Sequence, residues 1–82
     1  LIGRDSKGDL VVIEFKRATA QLQAVSQLKR YVDYYSRKER TVRGIIVAPG
    51  ITDSAMRLLR DYGLEYRRLE PQKARSLREL PL

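Results

Sequence analysis

The chain has 82 residues, 43% of them hydrophobic, and 17 Lys and Arg stand against 10 Asp and Glu for a formal net charge of +7. That length makes one small domain with a single core, and the positive excess points to a polyanionic partner, nucleic acid before membrane, because no stretch reads as a spanning segment or a basic membrane helix. With no cysteine and no histidine, disulfides, zinc-finger sites and His-based triads or bases are excluded, and any bound metal must take oxygen ligands, which favours Mg2+ or Mn2+.

Leu1 to Gly3 reads as the end of a strand, and the opening without methionine or signal peptide leads to the expectation of a piece of a longer protein that begins within that strand. Arg4-Asp5-Ser6-Lys7-Gly8-Asp9 is a turn cluster, with Gly8 suited to a left-handed position. Leu10 to Phe15 is the return strand, apolar on both faces and therefore central in a sheet. Thr19 is read as the cap of a helix from Ala20 to Arg37, with Leu22, Val25, Leu28, Val32 and Tyr35 as its core stripe. Val42 to Ala48 is a second buried strand, stopped by Pro49-Gly50. Thr52 or Asp53 caps a second helix through Asp61, with Ala55, Leu58 and Leu59 facing inward and Gly63 ending it. Leu64 to Leu69 is a short strand whose charged alternation suits a sheet edge. The order predicts an α/β domain with a mixed sheet over residues 1–71, followed at 72–82 by a short helix or flexible tail.

Glu14-Phe15-Lys16 closes the first buried strand. Alternate side chains of a strand share a face, so Glu14 and Lys16 point the same way and Phe15 the other. A carboxylate and an ammonium are costly to place at the end of a buried strand. They are useful there if the acid binds a divalent metal and the lysine steadies a phosphate, the chemistry of metal-dependent phosphodiester cleavage. A solvated ion pair at a strand end is the other reading of the same residues.

The hairpin turn sets a register. With Asp5 to Gly8 as the loop, Ile2 lies opposite Val12 and Leu1 opposite Ile13, so the position across from Glu14 is the one before Leu1. A second acid sharing a metal with Glu14 would have to stand there. Asp9 is five residues from Glu14, roughly 16 Å along a strand, and both Asp5 and Asp9 read as turn acids.

Gln27 and Tyr31 are one helical turn apart on a shoulder of the apolar stripe, where an amide and a hydroxyl reach over the strand ends or simply rim the core. Lys16 and Arg17 follow the strand, and Lys29 and Arg30 sit in the helix; these four form the candidate phosphate-binding cluster. Arg37, Lys38, Arg40 and Arg43 gather where the helix ends, which fits either phosphate binding or favourable placement at a helix C-terminus. Tyr34 and Tyr35 are candidates for stacking on unpaired bases or for rim packing. Arg67 and Arg68 alternate across their strand, so at most one meets a given surface.

Gly3-Arg4-Asp5, Gly8 through Arg17, Ala24 through Tyr31, Val42 through Pro49, Ile51-Thr52, Tyr62 through Tyr66 and Leu69-Glu70-Pro71 together resemble the NucS/EndoMS endonucleases. That family belongs to the PD-(D/E)XK nuclease superfamily and is similar to RecB-type nucleases, with a Gln-x-x-x-Tyr motif on the helix after the Glu-x-Lys strand. The resemblance implies a restriction-endonuclease-like core and a Mg2+- or Mn2+-dependent DNA endonuclease, cytoplasmic, acting on mismatched or branched DNA as a homodimer. It implies Glu14 as metal ligand, Lys16 as catalytic lysine, and Gln27 and Tyr31 as the helix motif. It also puts the family's motif aspartate just before Leu-Ile-Gly. The family's amino-terminal DNA-binding domain, and the helix and strand that open its nuclease core, have no counterpart in these 82 residues. The tail carries no clear Gln-x-x-aliphatic-x-x-aromatic sequence, so clamp binding is unsupported.

The resulting expectation is the carboxy-terminal catalytic portion of a mismatch-type endonuclease, itself inactive for want of the second acid. Another nuclease of the superfamily, a junction resolvase or RecB-like exonuclease, is one alternative. A non-catalytic DNA-binding module is the other.

Overall fold

The computed structural model describes residues 1–70. In chain order the elements are β1 (Ile2–Arg4), β2 (Leu10–Phe15), α1 (Leu22–Ser36), β3 (Val42–Ala48), α2 (Asp53–Asp61) and β4 (Glu65–Arg68). The strands form a mixed sheet in the order β1-β2-β3-β4, antiparallel between β1 and β2 and parallel thereafter. The α/β class and the central place of β2 are as the sequence predicts, and β4 is an edge strand among the described residues.

The hairpin register is also as expected. Ile2 pairs with Val12, and Leu1 and Ile13 exchange both backbone hydrogen bonds, at 2.7 and 3.1 Å. The turn that fixes it is held by Asp5, whose Oδ1 accepts from the amides of Lys7 and Asp9, with Gly8 at φ +86°. Only glycine adopts that φ without a steric cost.

Two crossovers, β2-α1-β3 and β3-α2-β4, advance across the sheet in one direction, so both helices lie on one face. That face carries the main core, in which Val12, Val25, Leu28, Ile46, Ala55 and Leu59 are buried together. Burying such side chains contributes about 1.5–3 kcal/mol each for the larger ones. Val11, Ile13, Ile45 and Val47 form a second buried cluster on the opposite face, with Phe15 and Leu69 packed against it. Gly44 lets α1 approach β3: a Cβ there would stand 2.7 Å from Val32 Cγ2 and 2.9 Å from Leu64 Cδ2.

Several boundaries differ from the sequence reading. The first strand is Ile2–Arg4 rather than 1–3. Thr19 does not cap α1: the helix starts at Leu22 behind an extended Gln21 that makes no side-chain cap. Ala20 is instead committed to a parallel bridge with Ile51, its N–H donating to Gly50 O and its carbonyl accepting from Thr52 N, and a residue in that bridge cannot also take helical dihedrals. Leu22, expected in the core stripe, is exposed, and Ala24 is buried in its place. The second helix follows expectation, with Thr52 Oγ1 accepting from Ala55 N at 3.2 Å. Leu64 and Leu69 fall outside β4, one packing under the helices and the other on the far face. The tail expected at 72–82 lies outside the described residues.

Candidate nuclease site

Parallel strands β2, β3 and β4 all end on one side of the sheet, and Glu14 and Lys16 stand at that end of β2. The ladder continues one residue past β2, Lys16 N donating to Val47 O at 2.9 Å, so Lys16 keeps the strand alternation and shares the helix-side face with Glu14. Lys16 Nζ is 3.4 Å from Glu14 Oε1, and the Glu14 side chain is 20% exposed. The carboxylate is thus within reach of a ligand yet backed by the core.

Glu14 opens into a small depression of about 180 Å3 that it shares with Leu1, Ile2, Val12, Tyr31 and Tyr35. Tyr31 is therefore brought to Glu14 from α1, and Gln27 Nε2 lies 3.5 Å from the Tyr31 hydroxyl, one turn back along the helix. Lys16 lines a second, polar depression of about 240 Å3 with Thr19, Gln21 and Gln23. Of the four candidates for chemistry, Glu14 is thus paired with Lys16 and shares a depression with Tyr31, and Gln27 is joined to the others through Tyr31.

The basic candidates divide. Arg17 is exposed beyond Lys16, and Arg30 lines a groove with Gln27 and Tyr31. Lys29 lies on the other shoulder of α1, ion-paired with Asp33 and set 5.2 Å from the Tyr62 ring centroid at the end of α2. Of the basic residues expected together near the end of α1, Lys38 stands over Tyr34, whereas Arg43 is on the far sheet face, bound to Glu65 and Asp5. Glu65 raises the Arg43 pKa further above its ordinary value, with Asp5 adding to the effect. That triad is not among the sequence expectations; its signal is the period-two placement of Arg43 and Glu65 on paired parallel strands.

Among the described residues no group of three or more acidic side chains could enclose a metal. Glu14 would fit Mg2+ or Mn2+ as one oxygen ligand of an open site, since Mg2+ is commonly held by one or two carboxylates and completed by water and phosphate. The observed register puts the position across from Glu14 one residue before Leu1.

A mixed sheet brings an acid and a lysine to one strand end, under a helix offering an amide and a phenol, in an α/β domain. The comparisons agree. The profile of the family described as Endonuclease NucS C-terminal domain matches residues 1–80, and the chain belongs to that family. It is 58% identical over 66 residues to Endonuclease NucS of Sulfolobus acidocaldarius, covering 80% of this chain and 26% of that protein. It is 49% identical over 82 residues to the enzyme of the same name from Methanocaldococcus jannaschii, covering 98% of this chain and 31% of that one. The chain thus spans less than a third of these curated relatives. Its fold is similar to the apo form of EndoMS, with a TM-score of 0.82 and 54% identity over 85% of this chain and 31% of that one. A repair endonuclease from Pyrococcus abyssi gives 0.80 and 52%, with the same coverage. EndoMS in complex with double-stranded DNA gives 0.79 and 54%, over 85% of this chain and 30% of that one.

Proposed function

We propose that this domain supplies the catalytic face of a metal-dependent DNA endonuclease of the PD-(D/E)XK kind, acting on mismatched or branched DNA. The observation that carries the reading is the Glu14–Lys16 pair on one strand face, 3.4 Å apart, beneath Tyr31. Glu14 is one ligand of Mg2+ or Mn2+, and an acid opposite it in the β1–β2 ladder is the other. The metal, when bound, supplies a more acidic water and neutralises charge on the scissile phosphate. Lys16 donates to a phosphate oxygen and stabilises the charge that builds there in the transition state. Tyr31, positioned by Gln27, flanks the carboxylate and keeps its orientation.

DNA as the partner is supported by the net charge of +7 and by the relative solved with double-stranded DNA. Arg17 and Arg30 contact phosphates beside the site, with Lys29 at a greater remove. The intact enzyme is a homodimer and works in the cytoplasm. No helix among the described residues is long and apolar enough to cross a membrane.

The test is cleavage by a full-length endonuclease that carries this chain as its C-terminal domain. Mismatched, fully paired and four-way-junction duplexes are offered with Mg2+, with Mn2+ and with EDTA. Cutting of the mismatched or branched substrates that needs metal and Glu14 supports the reading. Metal-independent cutting, or a Glu14→Ala variant with undiminished turnover, sinks it.

A further inference from the structure

Two rows of side chains run along one flank of α1, each built by residues four apart, which a helix stacks at about 6 Å intervals, and the second row ends on Lys38 in the turn that follows the helix. Gln27, Tyr31 and Tyr35 form the first, and Tyr31 and Tyr35 also border the depression that holds Glu14. Arg30, Tyr34 and Lys38 form the second. Between the rows lies an open groove of about 550 Å3, lined by Gln27, Arg30 and the three tyrosines. Tyr31 and Tyr34 are 44% and 49% exposed, so both rings are open to a ligand. Tyr34 and Tyr35 meet edge-on at 5.1 Å, which restricts the Tyr34 ring. Lys38 Nζ donates to the Tyr34 hydroxyl at 3.2 Å and lies 4.9 Å from its ring centroid.

We infer that this groove holds an unpaired nucleotide of the DNA strand, its base stacked on Tyr34 and its flanking phosphates met by Arg30 and Lys38. The inference rests on the DNA-nuclease reading above and names the part of the substrate that the domain grips. Charge selects the occupant: the second row alternates cation, aromatic, cation, and no acidic side chain lines the groove. A second copy of this chain would bring the same cations against themselves. Stacking selects the state of the DNA, because a paired base keeps its faces covered by its neighbours and only an unpaired one offers a π face to a tyrosine. Position selects the strand, since Tyr31 and Tyr35 are shared walls of the groove and of the Glu14 depression.

The experiment is equilibrium binding of the 82-residue chain, in EDTA, to fluorescent oligothymidylate and to an abasic sugar-phosphate strand of equal length. Tyr34→Ala is expected to weaken binding of the thymidylate about tenfold and to leave the abasic strand unaffected. Tyr34→Phe, which keeps the ring, retains the affinity, and Arg30→Ala weakens both probes. Equal losses of Tyr34→Ala on both probes, no loss on either, or no binding by the wild-type chain would overturn the inference. Self-association that disappears in Tyr34→Ala without any change in thymidylate binding would assign the groove to a second copy and overturn it too. Because no metal is present, the two readings fail separately. Tyr34-dependent stacking with metal-independent cleavage defeats the nuclease reading alone, and Glu14-dependent cleavage with Tyr34-independent binding defeats this one alone.

Discussion

Arg43 clasps Glu65 through two parallel hydrogen bonds, Nε to Oε2 at 2.8 Å and Nη2 to Oε1 at 2.7 Å, while its Nη1 reaches Asp5 Oδ2 at 3.1 Å. The hairpin turn, β3 and β4 are thereby tied together on the sheet face away from the helices. Arg43→Lys keeps the charge but cannot present the fork. It is expected to lower the unfolding free energy by about 1 kcal/mol, a value kept small by solvent screening of a partly exposed pair. A urea midpoint that falls at unchanged slope is the readout; an unmoved midpoint would show that the clasp is stabilising nothing.

The same clasp gives stability a pH dependence of definite sign. Burial works against ionised Asp5, but hydrogen bonds from Arg43 and from the amides of Asp9 and Lys7 outweigh it and hold the carboxyl below its usual range. Arg43 lowers Glu65 likewise, more strongly than burial opposes it. A depressed folded pKa contributes stability that is present above the unfolded value, about 4, and lost as pH falls through the folded one. The advantage of the wild-type chain over Arg43→Met is thus expected to be full at about pH 6 and to shrink by about pH 3. Urea midpoints of both chains at the two pH values decide it; an equal gap at both contradicts the assignment.

Gly44→Ala tests the packing of α1 on β3. Its new methyl would meet Val32 Cγ2 and Leu64 Cδ2 inside 3.0 Å, so those two packed side chains must move aside. Destabilisation of about 2 kcal/mol is expected from such overpacking. Thermal unfolding measures it, and a neutral substitution would mean that Val32 and Leu64 give way without loss of packing.

Glu14→Gln removes one charge from a side chain that stays isosteric and part-exposed. In the full-length enzyme, cleavage of a mismatched duplex is expected to fall about a hundredfold or more, with stability changed by less than about 0.5 kcal/mol. The 82-residue chain alone is expected to cut far more slowly than its full-length counterpart. Efficient metal-dependent cutting by the short chain would require a second acid among its own residues, Asp5 or Asp9 first.

Arg30 and Lys29 are sequence neighbours with different expected roles at a DNA surface. Arg30 stands in the aromatic groove, and Lys29 is bound to Asp33 beside Tyr62. Arg30→Ala should reduce the salt-dependence slope of DNA binding by about one, and Lys29→Ala by much less. Equal changes would mean that diffuse net charge, rather than a placed cation, carries the affinity.

What the sequence determined by itself is what depends on local rules. Strand alternation put Glu14 and Lys16 on one face, turn sterics at Gly8 set the pairing of Ile2 with Val12, and helical spacing brought Gln27 to Tyr31. Each follows from backbone periodicity or from a single residue's allowed dihedrals. The resemblance to a nuclease family was legible for the same reason, because its motifs are runs along the chain. Only the tertiary structure decided where α1 begins, since the Ala20–Ile51 bridge joins loops 31 residues apart and overrides the cap expected at Thr19. It also decided which cations are committed. Arg43 reads in the sequence as one of a basic group near the helix end, and it pairs with Glu65 and Asp5 because the sheet brings β4 and the hairpin turn within its reach. Ion pairs are weak and interchangeable locally, so their partners are set by the packing of elements far apart in the chain.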